Sequence, residues 1–335
     1  MNGTPHVVAI GGGGGATQVL KAAQPFAGRL TAIIAVTDTG RSTGLARSIG
    51  GIPAPGDLRA TLAAFASDPL LADLLQYRFS GAGVPQLEGM AFGNLLIAAL
   101  TRVMDDFAGA IERVGRMTGC AAEVLPVSTA DTHLCAELAD GTLLEGELAV
   151  RGLDKPGIAR VFLRDTAPAY PPAIEAIRAA DLVVLGPGSL FTTVLACLAF
   201  REVAAALREA RGRVVYVCNT TTQPGQTDGF RAVDHVRRVV EAVGPDVVDV
   251  ALINTGAPAG EARARYAAQG LHLLQPDDDE LRAVAALGVQ PLARDLAEHG
   301  GAQRALWNKL DTIRHDPVAL CGALAEVARR SMDGE

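Results

Sequence analysis

The sequence predicts an α/β fold built on a doubly wound, mostly parallel sheet. Three observations predict it. Short apolar, β-branched runs alternate with helix-length segments, the rhythm of parallel strands joined by helical crossovers. Leu30 to Val36 is almost wholly apolar, as a parallel strand covered on both faces is. Four of the strand-like runs end in loops of unusual composition, and open parallel sheets bind ligands outside the carboxyl ends of their strands.

The elements follow in order. His6 to Ile10 reads as the first strand, and a helix from about Thr17 to Ala23 follows a glycine run. Leu30 to Val36 reads as a buried parallel strand. From Asp57 to Met117 the pattern is helical. Asp57 is placed as an N-cap after Pro-Gly, Asn94 to Met104 is amphipathic, and the helical stretch ends near Gly119. Residues 120–165 change to short strand-like runs. Asp140-Gly141 between two of them predicts a hairpin, so this region reads as an antiparallel excursion from the main sheet.

The α/β rhythm then returns. Strands are expected at Leu182 to Leu185, Arg213 to Cys218 and Val247 to Ile253, with helices over Thr192 to Glu209 and Phe230 to Val243. Residues 258–335 are Ala-rich and mainly helical, with a short strand at Leu271 to Leu274 and a loop-like stretch from Glu298 to Leu310. With no internal repeat or long linker, residues 1–335 read as a single Rossmann-like domain with helical additions.

Composition narrows the function. The chain has 335 residues, 49% apolar and 20% charged, enough for a large core. Aromatics are only 4% and the formal charge is −7 with no basic cluster, which argues against nucleic acid as a partner. Five cysteines form no C-x-x-C pair, so they read as reduced thiols of a reducing compartment. The six histidines show no H-E-x-x-H spacing. The N-terminus enters a strand-like run almost at once and no apolar run is long enough to span a bilayer, so a cytoplasmic protein without membrane insertion is expected.

The first loop, Gly11 to Thr17, fits G-x-G-x-x-A through Gly11, Gly13 and Ala16. Each glycine costs roughly 0.5–1 kcal/mol against alanine in a regular element. A run of them implies backbone that turns sharply or lies against a ligand, with a helix N-terminus ready to meet a phosphate. The pattern does not distinguish a dinucleotide from a mononucleotide, and a tight ligand-free turn is the alternative. The second loop, Thr37 to Gly44, carries Asp38, which fits a ribose contact, a divalent ion or an Asx-turn. In the third, Gly186-Pro187-Gly188-Ser189 with Thr192 and Thr193, Ser189 is placed to cap a helix beside a phosphate. The fourth, Asn219 to Thr227, is uncharged and rich in hydroxyl and amide groups that suit a base, a ribose or a sugar, or an ordinary polar loop. No G-x-S-x-G elbow and no Walker sequence occurs, so no catalytic residue is assigned. Asp38 and Asp57 are the carboxylate candidates. Asp277 to Glu280 reads as a solvated helix start, and Asp234-His235 as structural.

Taken together these motifs resemble the YvcK family, the gluconeogenesis factors, which are related to CofD, the 2-phospho-L-lactate transferase. The resemblance runs from Val7 to about Asn254 and more weakly to Asp316. Besides the four loops it rests on Pro55-Gly56-Asp57-Leu58-Arg59, Gln76-Tyr77-Arg78-Phe79, Gly93-Asn94-Leu95-Leu96, Val124-Leu125-Pro126 and Asp234-His235. It implies a cytoplasmic, homo-oligomeric protein that binds UDP-sugars, notably UDP-N-acetylglucosamine. It also implies an influence on cell shape and peptidoglycan synthesis during gluconeogenic growth, with cell-wall regulatory proteins as partners and no firmly implied reaction.

The ligand-binding residues expected on this basis are Gly11, Gly12, Gly13, Gly15, Thr17, Asp38, Asn94, Gly186, Gly188, Ser189, Thr192, Asn219, Thr222 and Gln223. The resemblance adds Tyr266 and Arg314, the latter within Arg314-His315-Asp316. The CofD branch implies the alternative, a magnesium-dependent phospholactyl transfer from a guanosine diphosphate conjugate, with Asp38 and Asp57 as metal ligands. Gly14 stands where the family usually has Thr, Thr39 where it has a second Asp, and Arg41 replaces a Gly. Losing one carboxylate disfavours the transferase. A nicotinamide dehydrogenase draws support from the G-x-G-x-x-A match alone.

Overall fold

The computed structural model describes residues 4–333 apart from 82, 84, 86, 259 and 300–311. Most of the loop-like stretch expected from Glu298 to Leu310 therefore lies outside the described residues.

The strands are β1 (His6–Gly11), β2 (Arg29–Ile34), β3 (Glu123–Pro126), β4 (Leu134–Leu138), β5 (Leu143–Glu145), β6 (Ile158–Leu163), β7 (Leu182–Leu185), β8 (Arg213–Val217), β9 (Val250–Asn254) and β10 (Gln290–Arg294). Seven form one parallel sheet in the order β10-β9-β8-β7-β1-β2-β3, and β5-β4-β6 form a separate antiparallel sheet. β1 lies between β2 and β7, with Val7 paired to Leu30 on one side and to Leu182 on the other. The chain runs outward through β2 and β3, then returns to the far side of β1 at β7. That reversal is the switch point at which a doubly wound sheet opens a crevice. β1, β7 and β8 are almost wholly buried, and helices cover both faces.

Five expectations are corrected. The helix after β1 spans Gly13–Ala23, so the glycine run is strand end, cap and first helical turn rather than a loop. Asp57 is not an N-cap. The helix is Gly56–Ala64 with Pro55 at the cap, and Asp57 sits in the first turn. Glu123–Pro126 pairs with β2, so the antiparallel excursion begins after it.

The helix expected over Thr192 to Glu209 is broken into a π-turn at Leu190–Val194, a short helix at Leu195–Leu198 and another at Arg201–Arg208. The Ser189 carbonyl receives Thr193 N at 3.1 Å, Val194 N at 3.2 Å and the Thr193 hydroxyl at 2.6 Å, so hydroxyl competition loosens the first turn. At the C-terminus, Leu271 to Leu274 makes only a single bridge, Leu273 to Thr221, whereas Gln290–Arg294 forms an edge strand. Pro291 masked that strand, yet an edge is where a sheet tolerates proline.

Among the described residues no single helix is long and apolar enough to cross a membrane. The five cysteines are free, and burial pushes the Cys197 and Cys218 thiols far up, so both stay protonated.

Candidate functional site

A cavity of about 410 Å³ opens where β1, β2, β7 and β8 end, a volume in the range of small-ligand sites. Each of the four strand-end loops contributes to it, and residues 147–153 of the excursion, Leu271 and residues 312–315 complete the lining.

The glycine run forms one wall. Gly12, Gly14 and Gly15 line the cavity, while Gly11 and Gly13 lie behind it. Packing dictates most of these glycines. A Cβ on Gly12 would meet the Thr193 methyl at 2.6 Å, one on Gly13 the Asp57 carbonyl at 2.6 Å, and one on Gly15 would run into the Pro187 carbonyl. Gly14 differs, since a Cβ there meets nothing within 4 Å. The cap residue Gly12 supplies no side-chain hydrogen bond, and with Gly14 and Gly15 it brings the uncapped, partly positive helix N-terminus to the cavity wall. Thr17 does not line it, whereas Gln18 does.

Asp38 lines the cavity and forms the Asx-turn, its Oδ1 accepting from Gly40 N at 2.7 Å. The buried Arg47 steadies this loop. It donates to the Asp38 carbonyl at 3.3 Å and pairs with Asp131 at 2.5 Å. Asp57 lines the same cavity. Asp38 and Asp57 thus share the cavity with a third carboxylate, Glu147. Among the described residues no group of three His, Cys, Asp or Glu side chains could hold a metal.

The loop after β7 is tied to the loop after β8. Asn219 pairs with Gly188 through both ends of its amide, Oδ1 accepting at 3.0 Å and Nδ2 donating at 2.7 Å. The Gly188 N–H is therefore already committed. Ser189 donates to Gln226 at 2.8 Å and accepts from the Thr192 hydroxyl at 2.8 Å. Gly188, Ser189, Thr192, Asn219, Thr222 and Gln223 all line the cavity, with Thr220, Thr221 and Gln226 extending this neutral polar wall. Gly186, at φ +73°, makes the turn without lining it.

Besides Gly11, Gly13, Thr17 and Gly186, two further expected contacts do not line the cavity. Asn94 is 1% exposed and held by protein at both ends of its amide. Its Oδ1 accepts from Arg59 Nε at 3.0 Å and its Nδ2 donates to Ser42 at 3.0 Å. Tyr266 is buried in a small core with Leu271, Ala297 and Ile313, so it backs the cavity rather than presenting a stacking face.

The Arg314-His315-Asp316 segment divides its labour. Arg314 lines the cavity. His315 donates Nε2–H to the Cys218 carbonyl at 3.0 Å, and burial pulls its pKa down to about 4, so it is neutral at pH 7. Asp316 caps the last helix, accepting from Val318 N and Ala319 N, each at 2.9 Å. Among lining residues the sequence reading passed over Glu147 and Arg151. They lie within the excursion, far from any strand-end signal, and only tertiary folding brings them in.

Residues 7–297 match the family described as 2-phospho-L-lactate transferase CofD. The chain is 32% identical over 331 residues to the gluconeogenesis factor of Bacillus subtilis, across 98% of this chain and 100% of that one. It is 38% identical over 283 residues to the gluconeogenesis factor of Halalkalibacterium halodurans, across 83% and 86%. Its fold is similar to the crystal structure of a UPF0052-family protein from Bacillus halodurans, with a TM-score of 0.87, 34% identity and coverage of 96% and 99%. The chain therefore belongs to the CofD family, in the branch of the gluconeogenesis factors, the YvcK or UPF0052 proteins.

Proposed function

We propose that the cavity binds a nucleoside diphosphate sugar of the UDP-N-acetylglucosamine type, and that the protein works as a regulator through this binding. One observation carries the reading. The uncapped N-terminus of the Gly13–Ala23 helix opens into the same cavity as two arginines and a neutral wall of threonines and amides. Helix N–H groups and guanidinium suit a diphosphate, and hydroxyl and amide groups suit a sugar or a base. The name of the relatives ties the binding to gluconeogenesis. The family resemblance extends the role to cell shape and peptidoglycan synthesis on gluconeogenic carbon, through a homo-oligomer and cell-wall regulatory partners in the cytoplasm.

A second reading is CofD-like phospholactyl transfer, favoured by Asp38 and Asp57 lining one cavity. Magnesium commonly takes one or two carboxylates together with substrate phosphates, and these two aspartates fit that pattern. When bound, the ion would neutralise phosphate charge. The chain's own part would be to orient the donor through the glycine wall. Thr39 stands beside Asp38 with its hydroxyl accepting from Leu148 N at 3.2 Å, so it ties down the excursion and supplies no carboxylate.

Calorimetric titration with UDP-N-acetylglucosamine, GDP with and without magnesium, and NAD tests both readings. UDP-N-acetylglucosamine should bind without magnesium. Binding of GDP alone, and only with magnesium, would sink the UDP-sugar reading in favour of the transferase.

A further inference from the structure

We propose that Arg151, oriented by Glu147, binds a phosphate of the ligand, and that the antiparallel excursion delivers it to the cavity; the identity of the anion rests on the nucleotide reading above. Arg151 follows the short helix Glu147–Val150 and lines the cavity. Its Nη1 donates to Glu147 Oε1 at 3.2 Å, and the two side chains are 24% and 6% exposed. A guanidinium carries five N–H donors. One goes to Glu147, and among the described residues the guanidinium makes no other hydrogen bond. The guanidinium therefore lines the cavity with donors to spare, and its planar fork matches a phosphate in two-point contact.

The placement is built in from several directions. The Thr39 hydroxyl, at the end of the β2 loop, accepts from Leu148 N at 3.2 Å. Lys155 donates to the Gly225 carbonyl in the β8 loop. Gly225, at φ +75°, lets the chain at 151–152 come close. A Cβ there would lie 3.2 Å from the Arg151 carbonyl and would run into that of Gly152. From the helix Ala232–Val243, Arg238 donates to the Ala159 carbonyl at 3.0 Å and to that of Ile158 at 3.3 Å. The excursion is thus pinned to two loops that line the cavity, and Arg151 sits between the pins. Glu147 is the positioning residue: it holds the fork and offsets its charge inside the wall.

The test is titration of the full chain with UDP-N-acetylglucosamine, inorganic pyrophosphate and uridine, comparing the wild type with Arg151→Ala and Arg151→Lys. The Glu147→Gln/Arg151→Met double variant removes the pair together, so no carboxylate is left buried alone. Arg151→Ala and the double variant should weaken UDP-N-acetylglucosamine and pyrophosphate by about ten- to hundredfold. Arg151→Lys should fall between, and uridine, which has no phosphate, should be unaffected. Wild-type affinity for UDP-N-acetylglucosamine in Arg151→Ala and in the double variant would overturn the role of Arg151 and leave the nucleotide reading standing. Arg151-dependent binding of pyrophosphate without any binding of UDP-N-acetylglucosamine would do the reverse. A wild type that binds neither phosphate ligand overturns both.

Discussion

Two regions of this protein are dense in polar residues from its motifs, and they behave oppositely. Around Arg59 the cluster is sealed. Arg59 donates to Asn94 at 3.0 Å, to the Leu75 carbonyl at 3.1 Å and to Gln76, while Ser42 accepts from Asn94 at 3.0 Å and from Ala91 N at 2.9 Å. A Cβ on Gly93 would meet the Leu75 carbonyl at 2.7 Å and the Arg59 stem at 2.8 Å, so the glycine lets the cluster close. Around the cavity two groups keep capacity to spare instead. The helix cap at Gly12 has no side-chain partner, and Arg151 spends one donor on Glu147. Spare hydrogen-bonding capacity facing a cavity, rather than the density of polar motifs, marks the candidate site.

The sharpest way to break this contrast is to cut the sealed cluster. Arg59 is 5% exposed, and burial, with Arg78 adding to it, pulls its pKa down to about 10, so it is still charged at pH 7. Arg59→Met leaves Asn94, Gln76 and the Leu75 carbonyl short of a donor. A loss of about 3–5 kcal/mol in urea unfolding is expected. Affinity of the folded protein for UDP-N-acetylglucosamine should stay within about twofold. Collapse of affinity at unchanged stability would place Arg59 in the site.

His315 probes the boundary between the two regions, since it lines the cavity while its donor is committed to Cys218. Its folded pKa of about 4 lies below the ordinary 6.5. The unfolded chain therefore binds the extra proton first. The stabilisation is complete above pH 6.5 and is lost as pH falls towards 4, on the order of 3 kcal/mol in all. His315→Gln keeps a donor and removes the titration, so its stability should fall less steeply over that interval. His235 and His6, whose pKa values burial also lowers, should keep part of the slope. An unchanged slope in chemical denaturation across this range would show that His315 is not the group that charges.

What the sequence made legible follows from the range of the forces involved. β1, β2, β7 and β8 announced themselves because strands buried on both faces must be apolar, and their loops because glycine, proline and hydroxyl residues break that pattern locally. Asn94 and Tyr266 sit in recognisable segments, yet a buried clamp and a ligand contact read alike until burial is known. Glu147 and Arg151 carried no signal at all, since their place depends on contacts with Thr39 and Gly225, distant in sequence. The loosened first turn after Ser189 arises from the Thr193 hydroxyl competing for one carbonyl, which apolar periodicity does not record.

The smallest effect falls within the glycine run, where the same contrast recurs between neighbours. Gly15→Ala forces a Cβ into the Pro187 carbonyl, so the helix start must move away from the β7 loop, at about 1–3 kcal/mol and with weaker binding. Gly14→Thr meets open space in a helical turn, on a residue that lines the cavity. Its stability should change by no more than about 0.5 kcal/mol, since threonine is slightly the better helix former. Because a Cβ at this position meets nothing within 4 Å, the pocket should accept the side chain with affinity within about threefold of the wild type. Calorimetry on the two variants separates the roles. If Gly14→Thr loses binding while its melting is unchanged, the ligand lies directly on the Gly14 backbone, and the missing Cβ is what makes room for it.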